Sequence, residues 1–286
     1  MKYPQIKVFE SNPTLAGFAS LEPGIIYSQK NGGLKLSLIT PWADAQLSGG
    51  PRPLVVFLQG SSWTFPYINK EIPQLAELAR EGYVVATIEH RNAAEGHPFP
   101  AYLEDTKTAI RFLRAHAEEF GIDPTRVCMY GTSSGGNTAL LVGVTGDMPK
   151  FRSDEYADQS DAVQLVVDCF GPANLPKMID LDPSKASEDM ARLMYGLAGS
   201  RTPEETIELM SPVNYLQNGA DYPPFMLLYG DADTVVPYSQ GEEMFQRLID
   251  CGADAQLVRV KGAGHEGDFW SRPLVEEIYD FIRNRL

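Results

Sequence analysis

The stretch MYGTSSGGNTA, residues 129–139, decides the fold. Within it, Gly131 and Gly135 flank Ser133 in the pattern Gly-x-Ser-x-Gly. The pattern follows a short apolar run and precedes a segment of helical character, so it predicts a tight turn from a strand into a helix. Glycine on both sides removes the Cβ clashes that such a turn would create. The turn then lifts the Ser133 side chain off the carboxyl-terminal edge of a sheet.

Ser133 is therefore the predicted nucleophile, and its neighbour Ser134 has a different predicted role. The backbone N–H of Ser134 lies at the start of the following helix, where it can donate to an oxyanion while its side chain is dispensable. A serine- and glycine-rich loop that only caps a helix would contain the same residue types. The nucleophile hypothesis therefore requires a strand before the turn, a helix after it, and an acid followed by a histidine downstream.

Apolar runs along the chain predict a buried sheet. Four of them, at 53–58, 83–88, 126–130 and 163–170, are nearly continuous, contain β-branched residues and are closed by turn residues, as in strands buried on both faces. A fifth and a sixth apolar run follow at 225–230 and 255–260. Helical patterns separate them, at 69–80, 102–120, from 138 onward, at 239–251 and at 273–286. Because strands and helices alternate, we expect an α/β fold with a mainly parallel sheet and helices on both faces.

Two further segments complete the predicted architecture. Residues 24–28 and 34–40 are joined by an Asn-Gly-Gly turn, which predicts an antiparallel hairpin ahead of the parallel sheet. Residues 172–220 carry no strand pattern, which predicts a small helical cap inserted between two strands. Its helical patterns cover 186–197 and 202–209. We therefore interpret residues 1–286 as a single catalytic domain whose cap shapes the pocket.

The composition excludes some classes of partner. The chain has 286 residues, 43% hydrophobic and 22% charged, which is an ordinary globular composition. Its net charge of −14 repels phosphate backbones and anionic membrane surfaces, so neither nucleic acid nor membrane is an expected partner. The N-terminal residues lack the apolar core of a signal peptide, which predicts a cytoplasmic protein. Three cysteines without Cys-x-x-Cys spacing predict buried thiols, and no pattern requires a metal or other cofactor.

The partners of Ser133 are expected at the ends of later strands. Asp231 and Asp233 both follow the run FMLLYG, at the edge where parallel sheets place active sites. Asp231 is the better turn former, and a strand end needs a few residues before a side chain can face a histidine. His265 lies on a glycine-rich loop and is the only histidine after these acids. Chain order thus predicts His265 as general base, and the distance from the strand end favours Asp233 over its competitor Asp231 as the orienting acid.

A second oxyanion donor is expected from LQGSSWTF, residues 58–65, the loop after the third strand. Its small residues let the backbone approach a reacting carbonyl, and the N–H of Ser61 or Ser62 would join that of Ser134 in the oxyanion hole. The expected substrate contacts of the same loop are Gln59, Gly60 and Trp63. The loop's aromatic residues either line the pocket or only pack together.

Together these segments resemble the α/β-hydrolase superfamily from about residue 24 to the end of the chain. Within it, the chain is similar to bacterial carboxylesterases related to hormone-sensitive lipase, close to the acetyl-xylan and feruloyl esterase-like group. Segments that carry the resemblance include GTSSGGN (131–137), CFGPANL (169–175) and GAGHEGDFW (262–270). The resemblance implies an α/β-hydrolase fold with Ser133 as nucleophile, Asp233 as orienting acid and His265 as general base.

The oxyanion segment departs from that family. The family pattern is His-Gly-Gly-Gly, or His-Gly-Gly followed by an aromatic residue and Trp, and it aligns here with Gln59-Gly60-Ser61-Ser62-Trp63. Backbone donors survive a change of side chain, so the resemblance still implies an oxyanion hole, with altered rigidity and a narrower, more polar approach. Long lipid acyl chains are therefore not the expected substrates.

The implied activity is that of a serine carboxylesterase that removes acetyl-type short acyl groups through an acyl-enzyme. The substrate would be a small-molecule or oligosaccharide ester, and the resemblance points to acetylated or feruloylated plant oligosaccharides. A serine peptidase of the prolyl-oligopeptidase type and an arylformamidase would use the same triad and stay open as alternatives. A non-catalytic binding module on the same fold is the remaining alternative.

Overall fold

One eight-stranded sheet organises the molecule. The computed structural model describes residues 6–42, 49–179 and 188–286, with the backbone alone at 188–192. The strands are β1 (Ala19–Ser28), β2 (Leu34–Pro41), β3 (Arg52–Leu58), β4 (Val84–Ile88), β5 (Ile122–Thr132), β6 (Leu165–Cys169), β7 (Phe225–Gly230) and β8 (Ala255–Val260). The α-helices are α1 (Ile72–Arg80), α2 (Ala101–Ala115), α3 (Ala117–Phe120), α4 (Ser134–Val144), α5 (Glu188–Ala198), α6 (Pro203–Leu209), α7 (Tyr238–Asp250) and α8 (Arg272–Arg283).

The strand order in the sheet is β1-β2-β4-β3-β5-β6-β7-β8. β1 pairs with β2, and β2 with β4, in antiparallel fashion. Every later pair in this order, from β4–β3 to β7–β8, is parallel. The predicted hairpin followed by a mainly parallel sheet is therefore confirmed.

The central strands are buried because nearly all their side chains are apolar. Every residue of β4, β6 and β7 is buried, as expected for parallel strands covered by helices. Helix α4 is also buried along its whole length. Gly143 allows its close approach to the sheet, since a Cβ there would lie 2.7 Å from the Val166 side chain. The core therefore fixes the helix that follows the predicted nucleophile.

The register of the sheet places the ends of neighbouring strands side by side. Leu58 at the end of β3 pairs with Gly131 of β5. Thr132 at the end of β5 pairs with Cys169 at the end of β6. Because parallel strands end at the same edge, the loops after β3, β5, β6, β7 and β8 all emerge there.

Some element boundaries differ from the prediction. The helix expected over 102–120 is divided at His116, whose φ of −106° and ψ of 22° end α2, and whose ring Nδ1 lies 2.8 Å from the Phe112 carbonyl oxygen. Strand β5 starts at Ile122, earlier than expected, because Ile122 pairs with Arg52 of β3. Of the cysteines, Cys128 and Cys169 are buried as predicted, whereas Cys251 is partly exposed.

The segment between β6 and β7 contains helices α5 and α6. The described part of 172–220 contains no strand, which agrees with its sequence pattern. The predicted start of the first helix, residue 186, lies outside the described residues, and the cap itself stays a prediction. No helix within the described ranges is long and apolar enough to cross a membrane.

Candidate active site

Ser133 lies in a strained turn between β5 and α4. Its φ of 53° and ψ of −122° are uncommon for a residue other than glycine. A Cβ on Gly131 would lie 2.0 Å from the carbonyl oxygen of Gly135, and one on Gly135 would lie 2.1 Å from that of Leu58, so both positions require glycine. The Ser133 N–H donates to the Cys169 carbonyl oxygen at 2.9 Å. The predicted strand, turn and helix are therefore present, and β6 helps to hold the turn.

Ser133, His265 and Asp233 form a chain of two hydrogen bonds. His265 Nε2 lies 2.9 Å from Ser133 Oγ, and His265 Nδ1 lies 2.7 Å from Asp233 Oδ2. The other carboxylate oxygen, Oδ1, accepts from the N–H groups of Val235 and Val236 at 2.8 and 2.9 Å. Because an ionised carboxylate only accepts, Nδ1 carries the imidazole proton and Nε2 presents a lone pair to the serine hydroxyl. This arrangement can accept the Ser133 proton.

The competing carboxylate Asp231 has different partners. It accepts from the Gly262 N–H and from the Arg259 guanidinium, and these two contacts hold its pKa below the ordinary value. Asp231 therefore ties the end of β7 to the loop after β8. The structure places Asp233, and not Asp231, beside the histidine.

Two hydroxyl groups on the neighbours of Ser133 hold the loop after β3. The Gly60 N–H donates to Thr132 Oγ1 at 2.9 Å, and the Ser61 N–H donates to Ser134 Oγ at 2.8 Å. Gly60 lies so close that a Cβ there would be 2.5 Å from Ser133 Cβ. The Ser134 side chain thus has a structural partner, contrary to the expectation that it is dispensable. Sequence reasoning missed both anchors, although a hydroxyl on each side of the nucleophile is a visible signal.

The same contact changes the set of oxyanion donors. An N–H that donates to Ser134 Oγ is not directed at a substrate oxygen, which corrects the expected use of Ser61. Ser62 is exposed, and within the described chain neither its N–H nor the Ser134 N–H donates a hydrogen bond. The Ser134 N–H also lies in the first turn of α4, where the helix dipole favours an anion. Ser62 and Ser134 are therefore the candidate donors.

Polar side chains stiffen the loop where the resembling family has histidine and glycine. Gln59 Oε1 accepts from the Tyr67 N–H at 2.7 Å, and Ser61 Oγ donates to the Thr64 carbonyl oxygen at 3.1 Å. The Gln59 and Trp63 side chains are buried, with residue exposures of 7% and 5%. Both support the loop in this conformation, and their contact with substrate stays a prediction.

A buried asparagine, Asn137, connects four segments around the site. Its Nδ2 donates to the carbonyl oxygens of Pro172 and Met210 at 2.7 and 2.9 Å. Its Oδ1 accepts from Trp63 Nε1 and from the Tyr102 hydroxyl, both at 3.3 Å. The amide thus uses all four of its hydrogen-bonding positions inside the protein. Sequence reasoning missed this residue, whose only signal is its place in GTSSGGN.

Sequence comparison relates the chain to esterases. The family model BD-FAE matches residues 44–248. Esterase LipC of Mycobacterium tuberculosis is 26% identical over 233 residues, which cover 81% of this chain and 57% of LipC. The probable isoprenylcysteine alpha-carbonyl methylesterase ICMEL1 of Arabidopsis thaliana is 26% identical over 247 residues, which cover 82% of this chain and 50% of that protein. The chain thus spans about half the length of these relatives.

Structural comparison gives a similar result over nearly the whole chain. The solved structure of a truncated form of a carbohydrate esterase from gut microbiota superposes with a TM-score of 0.77 at 26% sequence identity. The match covers 96% of this chain and 99% of that one. The architecture is therefore that of α/β-hydrolase esterases.

Proposed function

The chain belongs to the BD-FAE family, and on that premise we propose that it is a serine carboxylesterase that removes short acyl groups from ester substrates. The observation that carries the proposal is the pair of hydrogen bonds, 2.9 and 2.7 Å long, that links Ser133 through His265 to Asp233. Relatives named as esterases support hydrolysis of a carboxylic ester as the reaction.

In the first half of the reaction, His265 Nε2 takes the hydroxyl proton of Ser133 while Oγ attacks the ester carbonyl. Asp233 keeps the imidazole in the required tautomer and stabilises the imidazolium that forms. Its two backbone donors hold the carboxylate in the orientation that this needs. His265 then gives the proton to the leaving alcohol, and Ser133 retains the acyl group.

In the second half, water replaces the alcohol and attacks the acyl-enzyme, with His265 again as the base. The negative oxygen formed in each half lies between the N–H groups of Ser62 and Ser134. Thr132 and Ser134 hold the Gly60 and Ser61 N–H groups, so the loop is ordered before substrate arrives. Preorganised donors of this kind stabilise the transition state without reorganisation during the reaction.

Short acyl esters of carbohydrates are the proposed substrate class, with acetylated or feruloylated plant oligosaccharides as examples. The similarity to a carbohydrate esterase supports a sugar as the leaving group. The polar side chains of the oxyanion loop support a small acyl group. Phe65 and Tyr67, with exposures of 58% and 65%, offer apolar surface next to this loop for the rest of the substrate.

The test is a substrate profile combined with active-site labelling. We expect hydrolysis of p-nitrophenyl acetate, release of acetate from acetylated xylo-oligosaccharides, and covalent labelling of Ser133 by a fluorophosphonate. Ser133→Ala should lose all three while its circular dichroism spectrum and unfolding curve stay those of the wild type. Loss of labelling is expected because the alanine has no nucleophile.

Other outcomes would redirect the proposal. A chain-length optimum beyond about eight carbons contradicts a short acyl group. Preferential cleavage of proline anilides indicates a peptidase, and preferential cleavage of N-formyl amides indicates an arylformamidase. If Ser133 is not labelled and no ester is cleaved, the chain is a binding module and not an esterase.

A further inference from the structure

A buried acid lies next to the Ser133 turn, and no cation among the described residues forms an ion pair with it. Asp168 precedes the last residue of β6 in the segment VVDCFGP, and its side chain is fully buried. Its hydrogen-bond partners in the described chain are the Gly171 N–H and the Tyr229 hydroxyl, neither of which is charged. A buried carboxylate in this setting carries a large desolvation cost. The contacts around it show how that cost is avoided.

If Asp168 is ionised, the contacts among Asp168, Tyr229 and Gly171 contain one proton too few for each of them to be a hydrogen bond. Asp168 Oδ1 accepts from the Gly171 N–H at 2.9 Å. The Tyr229 hydroxyl oxygen lies 2.5 Å from both Asp168 Oδ2 and the Gly171 carbonyl oxygen. The carbonyl oxygen can only accept, and the tyrosine has a single hydroxyl proton. If Tyr229 donates to Gly171, then Asp168 Oδ2 must itself donate to Tyr229.

We propose that Asp168 is a neutral carboxylic acid in the folded protein, and that the chain Asp168–Tyr229–Gly171 is a positioning device for the nucleophile and the histidine. The second part rests on the proposed function. Asp168 Oδ1 accepts from the Gly171 N–H and so closes the turn formed by residues 168–171. Its other oxygen, Oδ2, contacts the Tyr229 hydroxyl, which in turn holds the Gly171 carbonyl group.

The turn contacts the backbone of Ser133 and the side chain of His265 through its two central residues. The Cys169 carbonyl oxygen accepts from the Ser133 N–H at 2.9 Å and so supports the strained nucleophile turn. Phe170 has a φ of 45°, and its ring packs edge-on against the His265 imidazole with 4.7 Å between ring centroids. A change in this turn therefore moves Ser133 and His265 relative to each other. Neither Asp168 nor Tyr229 touches the reacting atoms, so their role is positional.

The turn formed by residues 168–171 also packs directly against α4, the helix that follows Ser133. A Cβ on Gly136 would lie 2.3 Å from Asp168 Oδ1, and a Cβ on Gly171 would lie 2.4 Å from the same atom. Glycine at these two positions therefore lets the backbone approach the acid closely. Position 136 is the last of the three glycines in GTSSGG, so part of that motif serves Asp168.

The surroundings favour the neutral acid. Burial raises the pKa of Asp168 to about 8, and this effect outweighs the opposite effects of the Tyr229 and Gly171 hydrogen bonds. No positively charged side chain among the described residues contributes to lowering the pKa of Asp168. Burial holds the pKa values of Tyr229, Tyr130 and the Cys169 thiol well above their ordinary values, so all three are neutral near pH 7. The carboxylates of Asp168 and Asp233 raise the pKa of Tyr229 further.

Asparagine provides the decisive substitution, because its amide matches the neutral acid. In Asp168→Asn, Oδ1 still accepts from Gly171 and Nδ2 donates to Tyr229. We expect this variant to keep kcat within about threefold of the wild type, whereas Asp168→Ala and Tyr229→Phe lose tenfold or more. The wild-type kcat should fall reversibly above about pH 8 as the acid ionises, and the asparagine variant should lack this decline. Asp231→Asn, which replaces a partly exposed carboxylate directly after β7, is the matched control and should keep the decline.

Two kinetic results would overturn the proposal. Equal loss of kcat in the asparagine and alanine variants means that Asp168 works as a carboxylate. Wild-type kcat and pH profile in Asp168→Ala mean that the turn does not position the site. The ionisation state has a readout that needs no activity, namely the ¹³C shift of the Asp168 carboxyl, assigned by its absence from the asparagine variant. A carboxylate shift at pH 7 refutes the neutral acid even if the protein proves not to be an esterase, whereas failure of Ser133 labelling in the wild type refutes the proposed function alone.

Discussion

The hydroxyl of Ser134 accepts a hydrogen bond from the backbone N–H of Ser61 at 2.8 Å. This contact joins the first residue of α4 to the loop after β3. The adjacent Ser133 has its hydroxyl 2.9 Å from the histidine. The hydroxyl groups of two neighbouring serines thus have different partners, since that of Ser133 faces His265 and that of Ser134 holds the loop after β3.

Ser134→Ala should lower kcat about five- to tenfold with little change in KM. The substitution keeps the Ser134 N–H but removes the acceptor of the Ser61 N–H, and a net hydrogen bond is worth about 1 kcal/mol. Steady-state hydrolysis of p-nitrophenyl acetate measures the effect. The control is Ser20→Ala, which removes one exposed side-chain hydrogen bond, to Thr40 on β2. Equal kcat in the Ser134 variant and the control would show that the hydrogen bond between Ser61 and Ser134 does not contribute to catalysis.

Asp233→Asn and Asp231→Asn should have opposite consequences. The asparagine at 233 cannot hold His265 in the required tautomer, and we expect a loss of roughly 10³- to 10⁴-fold in kcat, as for serine protease triads. The asparagine at 231 weakens the contact with Arg259 on the surface and should keep most of the activity. Both variants are assayed with the same ester. Similar losses in the two would contradict the separation of roles between these acids.

Asn137→Ala should reduce the free energy of unfolding by roughly 3 kcal/mol. The alanine leaves two carbonyl groups, the Trp63 N–H and the Tyr102 hydroxyl without their buried partner. Urea unfolding followed by tryptophan fluorescence measures the change. Asn284→Ala, at the exposed end of α8, is the control and should change stability by less than about 0.5 kcal/mol. A loss as small as that of the control would mean that Asn137 is not a structural junction.

The stability of the protein should depend on the ionisation of Asp168 with a definite sign. The folded-state pKa is about 8 and the ordinary value is 3.8, so between these values the folded protein binds one proton more than the unfolded chain at this site. The unfolding free energy contributed by this group therefore falls as pH rises, by at most about 1.4 kcal/mol per pH unit. The contribution is fully present below about pH 4 and lost above about pH 8.

Asp168→Asn should remove this dependence. Its stability relative to the wild type is expected to increase from pH 5 to pH 8 and then to stay level. Urea unfolding of both proteins at pH 5, 6.5, 8 and 9 measures the difference. A difference that stays constant over this range would mean that Asp168 has the same charge in the folded and unfolded states.

Much of the fold and of the reacting residues could be predicted because their signals are local. Gly131 and Gly135 are required by a single tight turn, and the periodicity of each strand and helix depends on adjacent residues. The acid and the histidine follow strand ends in a known chain order, which brings Asp233 and His265 to the same edge of the sheet as Ser133.

Contacts between distant residues could not be predicted in this way. The hydrogen bond from Ser61 to Ser134 joins residues 73 positions apart, and it depends on the pairing of β3 with β5 in the sheet. The chain from Asp168 to Tyr229 spans 61 positions and depends on the pairing of β6 with β7. The residues next to a hydroxyl group or a buried acid in the sequence do not indicate its hydrogen-bond partner. The sequence alone therefore determined which residue is the candidate nucleophile. Only the tertiary structure decided which side chains hold it in place, because hydrogen bonds form between groups that are close in space, whatever their separation along the chain.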